Sequence, residues 1–290
     1  MTTPQLSLPD KTGSAAHEIK AVPLRRPGRW AATAVLAFAV VFLVEGWAGN
    51  PRMKWGTVGD FLFAPVVMEG LATTLWLTVL AMAVGIVGGI VLAVLRMSDN
   101  PLLSWLSGAY IWVFRGTPLL VQLLFWYFLS AIVPRIGIGV PWGPTFVSFD
   151  TNTLITQLTA AVLGLGLHEA AYMAEIVRAG IGSVDPGQHE AAHALGMTRR
   201  QTLRRIVLPQ ALRTIVPPTG NQVISMLKTT SLVFAIAVPE LLTSIQGIYS
   251  RNFQQVPLLT VACVWYLVAT SVLNVGQHFL ERRYNKGARA

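Results

Sequence analysis

Six long apolar runs, at about 31–48, 67–95, 111–133, 157–179, 215–245 and 258–280, constrain this chain more than any other feature. A helix needs about 20 such residues to cross the hydrocarbon core of a bilayer. The sequence therefore predicts an all-α membrane protein with six transmembrane helices. Composition agrees, since 12% of the residues are charged where a soluble domain carries about 25%. The first run starts late, is followed by "EGWAGNPRMKW" and has no clear small-residue cleavage site, so it reads as an uncleaved helix. Residues 1–30 are polar and basic, with Pro4, Pro9, Pro23 and Pro27, and read as a tail.

A net charge of +9 raises the question of nucleic acid, and the placement of the charges answers it. With the N-terminus inside, seventeen of the 22 lysines and arginines fall on the cytoplasmic side, Arg52, Lys54, Arg135 and Arg251 fall outside, and Lys228 lies within the fifth run. Basic residues stay cytoplasmic, which puts both termini inside and accounts for the charge by topology. The loop "RIGIGVPWGPTFVSFDTNT" faces outward and is expected to cap the external mouth. Trp30, Trp47 and Trp142 fit interface anchors, Arg115 reads as a helix-start residue snorkelling to the cytoplasmic interface, and Cys263 reads as a small buried hydrophobe.

Between the fourth and fifth runs lies a polar stretch, "EAAHALGMTRRQTLRRIVLP", from Glu190 to Pro209. Asp185 and Pro186 start a short helix, Gly196 ends it, Thr198 with Gln201 forms a capping box for a second, and Pro209 is expected to close that one. Two short helices around a glycine turn also describe a DNA-binding helix-turn-helix. Tethering to membrane helices at both ends argues against access to a major groove. An amphipathic helix lying on the membrane surface is the other reading that the residues alone leave open.

Glu190-Ala191-Ala192, Gly196, Ile206 and Leu208-Pro209, at these spacings, resemble the signature loop of permease subunits of bacterial ATP-binding-cassette importers. "FRGTPLLVQLLF" at 114–125, "AAYMAEIVRAGI" at 170–181 and "PQALRTIVPPTGNQVISMLKTTSL" at 209–232 extend the likeness to the polar amino-acid branch of the type I importers. It covers roughly residues 66–282. The tail at 1–30, an extra first helix with its external loop at 31–65, and a cytoplasmic tail at 283–290 fall outside it. The resemblance implies a coupling loop at 184–209 that docks on a separate ATPase dimer. It also implies a second permease subunit, the same chain or a relative, an extracytoplasmic solute-binding protein, an amino-acid substrate, and a place among the lipids of the bacterial cytoplasmic membrane. ATP and Mg would be bound by the partner, with no cofactor or metal in this chain and no nucleic acid.

The missing motifs point the same way. No lysine follows a glycine, so there is no P-loop, and Gly-x-Ser-x-Gly does not occur. No catalytic residue is expected.

Ionisable groups at bilayer depth mark pathways or paired sites. Glu175 and Arg178 stand three apart on a helix and are expected to pair. His168 and Glu169, with Tyr172 or Met173 one turn on, are candidates to line a translocation cavity, with Glu169 attracting a substrate amino group. The alternatives for Glu169 are a protonated, hydrogen-bonded carboxyl or a pair with Lys228. Lys228 and Gln122 are further pathway candidates, and "PPTGNQ" is expected to interrupt the fifth helix. A rival function is an ion-driven carrier or channel that uses Glu169 and no ATPase.

Overall fold

A computed structural model describes residues 27–140 and 145–285. Residues 1–26, the loop tip with Trp142, and residues 286–290 lie outside the described residues. The chain divides into two units, Met1–Met53 and Lys54–Ala290. In the first, α1 (Pro27–Ala48) is a 22-residue apolar helix, long enough to cross a membrane.

The second unit is built on α3 (Pro65–Arg96) and α7 (Gln157–Gly182). Proline at the first turn of α3 suits a position whose N–H has no partner inside the helix. The Thr156 hydroxyl caps α7 by accepting from the Thr159 N–H. Gly85 on α3 lies against Glu169 on α7, Gly88 against Ala170 and Gly89 against Met173. These pairs advance together along both helices, so α3 and α7 run in the same direction. At Gly85 a Cβ would sit 2.6 Å from Glu169 Cγ, and only glycine permits this approach.

Two parallel spans require a return crossing between them. It is made by α4 (Pro101–Gly116) and α5 (Leu119–Tyr127), which meet at 104°. The expected straight third helix is thus a bent pair. Pro118 has no N–H to give and drives Thr117 into an extended conformation, which ends α4. Beyond α5, the expected loop contains an antiparallel hairpin of β1 (Arg135–Gly139) and β2 (Thr145–Asp150), so the fold is mostly helical and not wholly so. Ile136 pairs with Phe149 and Ile138 with Val147, which puts these four on one face. The one-turn helix α6 (Thr151–Leu154) leads into α7.

At the far end of α7 come α8 (Pro186–Ala194) and α9 (Arg199–Thr202), then a π-turn at Leu203–Val207 that passes without a break into α10 (Leu208–Thr229). Pro209 therefore opens α10 and does not close α9. The π-turn, with the Leu208 N–H reaching Leu203 O, accommodates the proline's missing donor. Pro217 and Pro218 also lie inside a continuous α10, so "PPTGNQ" is not the interruption. The break comes later. A 3₁₀ stretch at Thr230–Ile236 ends at Ala237, whose φ of 56° is left-handed, and α11 (Leu241–Asn252) restarts 48° off the earlier axis. The last span is α12 (Gln255–Asn285). Counting each bent pair as one span gives six.

Three apolar clusters hold the unit. Leu77, Leu123, Leu165 and Met226 join α3, α5, α7 and α10 at mid-height. Leu71, Leu241, Ile245 and Leu258 join α3, α11 and α12 towards one end, where the short helix α2 (Trp55–Leu62) accepts a 2.7 Å hydrogen bond from Trp265 Nε1 at Leu62 O. Ala93, Val177, Val184, Val207, Ala211 and Ile215 form the third, at the end that carries α8 and α9. Cys263 is exposed on α12, on the apolar outer surface expected of a span bathed in lipid.

Candidate functional site

Two sites emerge. The first is the α8–α9 projection, and local chemistry stiffens it. Asp185 Oδ1 accepts from the Gly187 N–H at 2.7 Å, and Pro186 occupies the first turn. Gly196, at φ 69°, then ends α8: its N–H reaches His193 O and the Met197 N–H reaches Ala192 O, the paired bonds of a glycine C-cap. The Thr198–Gln201 capping box forms as expected. Gln210 Nε2 ties α10 to Gln188 Oε1 at 3.4 Å.

The signature residues divide by exposure. Glu190, Ala191, Gly196, Leu208 and Pro209 are exposed and Ile206 is half-buried, while Ala192 is 1% exposed and turned into the chain's own packing. Next to the glycine stands a residue the sequence reading passed over: Leu195 presents an aliphatic side chain that is 79% exposed. A lone leucine carries no pattern, so nothing in the sequence marked it.

The second site lies between the spans. Gln122 Nε2 donates to Phe114 O, Thr117 O and Thr117 Oγ1, satisfying acceptors left open at the end of α4. Its Oε1 faces His168 Nδ1 at 3.2 Å. An amide oxygen only accepts, so Nδ1 is the donor in this contact. The His168 and Tyr172 rings lie 5.0 Å apart, and the Arg115 guanidinium sits 5.2 Å from the centroid of the Tyr172 ring. Arg115 is thus in the last turn of α4, laid against the middle of α7, and not at a helix start. A cation over an aromatic face gains from the ring quadrupole. Tyr110 fixes the arrangement by donating to Leu167 O at 2.8 Å.

Glu169 points elsewhere. It is 5% exposed in the α3–α7 seam, Oε1 has no hydrogen-bond partner among the described residues, and the Gln222 side chain of α10 approaches the carboxyl. Lys228 is exposed and forms no ion pair with Glu169 among the described residues. Met173 is buried against Gly89 as packing. The candidate set therefore separates into Gln122, His168, Tyr172 and Arg115 on one side and Glu169 with Gln222 on another. Glu175 and Arg178 pair at 2.7 Å as expected.

A third carboxylate went unnoticed in the sequence. Glu240 is wholly buried and caps α11, its Oε1 accepting from the N–H and hydroxyl of Thr243 and its Oε2 from the hydroxyls of Tyr266 and Thr74. Glutamate is an uncommon N-cap, which hid it inside an apparent span.

A multi-span bundle with a stiff two-helix projection at one end is the architecture of a transport permease. The chain belongs to the family of binding-protein-dependent transport system inner membrane components, which it matches over residues 85–286. It is 45% identical to the arginine transport system permease protein ArgU of Corynebacterium glutamicum, over 97% of this chain and 87% of that one. Similarity to the glutamine transport system permease protein GlnP of Escherichia coli is 36% identity over 80% of this chain and 98% of that one. Among solved structures, an amino acid ABC transporter with histidines superposes with a TM-score of 0.66 at 35% identity, covering 76% of this chain and 95% of that chain.

Proposed function

We propose that this chain is the permease subunit of an ATP-driven importer that carries a polar amino acid inward by alternating access. Two permease subunits, identical or related, would work with an ATPase dimer that binds ATP and Mg, and with an external solute-binding protein. Both termini and the α8–α9 projection would be cytoplasmic, in keeping with the basic residues. The observation that carries the reading is the projection: capped at both helices, rooted in the cluster around Val207 and Ala211, and exposing Glu190, Ala191 and Leu195 at its surface. Glu190 supplies a carboxylate for basic groups on the ATPase. For coupling, the ATPase must bind the two permease states with different affinity, because only differential binding shifts an equilibrium.

Within the membrane, Arg115 with His168, Tyr172 and Gln122 offers a cation and hydrogen-bonding groups to a substrate carboxylate, and Glu169 offers a charge to an amino group. Lys228 remains a candidate on the pathway. Relatives named for arginine and glutamine transport support a polar amino acid, and arginine is the first substrate to test. The deciding experiment is co-purification from native membranes with and without Glu190→Ala. An ATPase subunit that accompanies the wild type and is weakened in the variant supports the reading; no ATPase under gentle detergent with added nucleotide overturns it.

A further inference from the structure

The end of the bundle that bears α8 and α9 contains a separate polar recess of about 610 Å³. Its wall is Arg96 and Met97 at the end of α3, Ser104 on α4, and Glu175, Arg178 and Gly182 on the last turns of α7. Arg96 Nη1 donates to the carbonyl and hydroxyl oxygens of Ser104 at 3.0 and 3.1 Å. Arg178 donates through Nε and Nη2 to Glu175. A guanidinium has five N–H donors. The N–H groups on Nε and Nη2 of Arg96 and on Nη1 of Arg178 are thus uncommitted among the described residues. Glu175 is the one carboxylate in the wall and is already matched by Arg178, which leaves an excess positive charge.

Depth identifies what such a recess meets. Arg96 and Gly182 are the last residues of two parallel spans, so the recess opens where those spans leave the bilayer. Beside Ser104, α4 exposes Leu102, Trp105, Leu106 and Trp112, an apolar strip with an indole near headgroup level. No Asp or Glu occurs between Glu190 and Glu240; Arg199 pairs with Asp99 at 3.4 Å, while Arg200, Arg204 and Arg205 are exposed. Forked guanidinium donors suit phosphate oxygens, and a neighbouring aliphatic and indole surface suits acyl chains.

We infer that this recess binds the phosphate of an anionic phospholipid of the inner leaflet, with the acyl chains lying along α4. The inner position rests on the orientation proposed above; the binding itself does not depend on transport.

The test uses the full transporter complex, reconstituted in phosphatidylcholine nanodiscs with and without phosphatidylglycerol, with lipid retained per permease read by native mass spectrometry. Wild type is expected to keep phosphatidylglycerol in preference to phosphatidylcholine. Arg96→Gln with Arg178→Gln lowers that retention roughly 30-fold, the loss of two basic contacts to an anionic headgroup. Arg96→Lys with Arg178→Lys, which keeps both charges but loses the forked donors, retains more than the glutamine variant and controls for folding. Inorganic phosphate in excess leaves the lipid bound. Equal retention of both lipids, an unchanged glutamine variant, or displacement by inorganic phosphate overturns the proposal, the last by identifying a free-anion site. Should the glutamine variant fail to assemble, quenching of Trp105 by brominated lipid decides: quenching that is no stronger with phosphatidylglycerol than with phosphatidylcholine refutes it.

Discussion

Leu195→Ala isolates what the projection contributes to docking. The side chain stands 79% exposed beside Gly196, so removing it opens no cavity in the permease. Burying an exposed leucine is worth about 1.5–3 kcal/mol. Scaled to the exposed fraction, docking against an apolar groove gains about 1.2–2.4 kcal/mol, or roughly 8- to 60-fold in Kd. The assay is titration of purified permease in nanodiscs with its ATPase subunit, nucleotide held constant, alongside thermal unfolding of the permease alone. The expected result is a weaker Kd in that range with unchanged thermal stability. A Kd within about twofold of wild type would show that Leu195 stays in solvent in the complex, and the docking argument would fail.

Other substitutions address the bundle. Glu240→Ala strands the Tyr266 hydroxyl and the Thr243 N–H in the interior; at about 1–3 kcal/mol for each unpaired group, thermal unfolding in detergent should begin several degrees lower, whereas Glu240→Gln keeps most of the stability. An alanine variant as stable as wild type would contradict this. Glu169→Gln should lower uptake about 10-fold with the binding protein saturating, the scale of one charged hydrogen bond, and an unchanged rate and selectivity would remove Glu169 from the pathway. Gly85→Leu must part α3 from α7, because even a Cβ there lies 2.6 Å from Glu169 Cγ; the yield of assembled transporter should collapse, and normal assembly would show that the seam can open.

What could be read from the sequence follows from how far each signal reaches. Span count and the caps at Asp185, Gly196 and Thr198 are local, set by hydropathy and by one residue's backbone preference, and all appear as expected. Pro209, Pro217 and Pro218 misled for the opposite reason. A proline's effect depends on whether the helix around it can absorb the missing bond; a π-turn does so at Pro209, and α10 runs on through Pro217 and Pro218. The bend at Pro118 escaped notice because hydropathy runs through it unchanged. The hairpin was concealed by glycines that read as loop. Glu169 and Lys228, two ionisable groups in neighbouring spans, suggested a pair, but no ion pair forms between them among the described residues.

The unbroken passage from the π-turn into α10 has a mechanical consequence. From Leu203 to Ile236 the backbone is one rod of roughly 50 Å, taking about 1.5 Å per α-helical and 2 Å per 3₁₀ residue. A tilt of about 5° imposed at its foot would carry its tip sideways by about 4 Å, a rigid-rod estimate from the same rise. Ala237, with its left-handed backbone, is where the rod stops. The stretch at Pro217 and Pro218, short of two amide donors, is its most compliant point, and Gln277 braces it there by donating to Pro217 O and Asn221 Oδ1. Displacement arriving at the foot is therefore delivered to the middle of the membrane, with α12 deciding how much is lost as bending on the way.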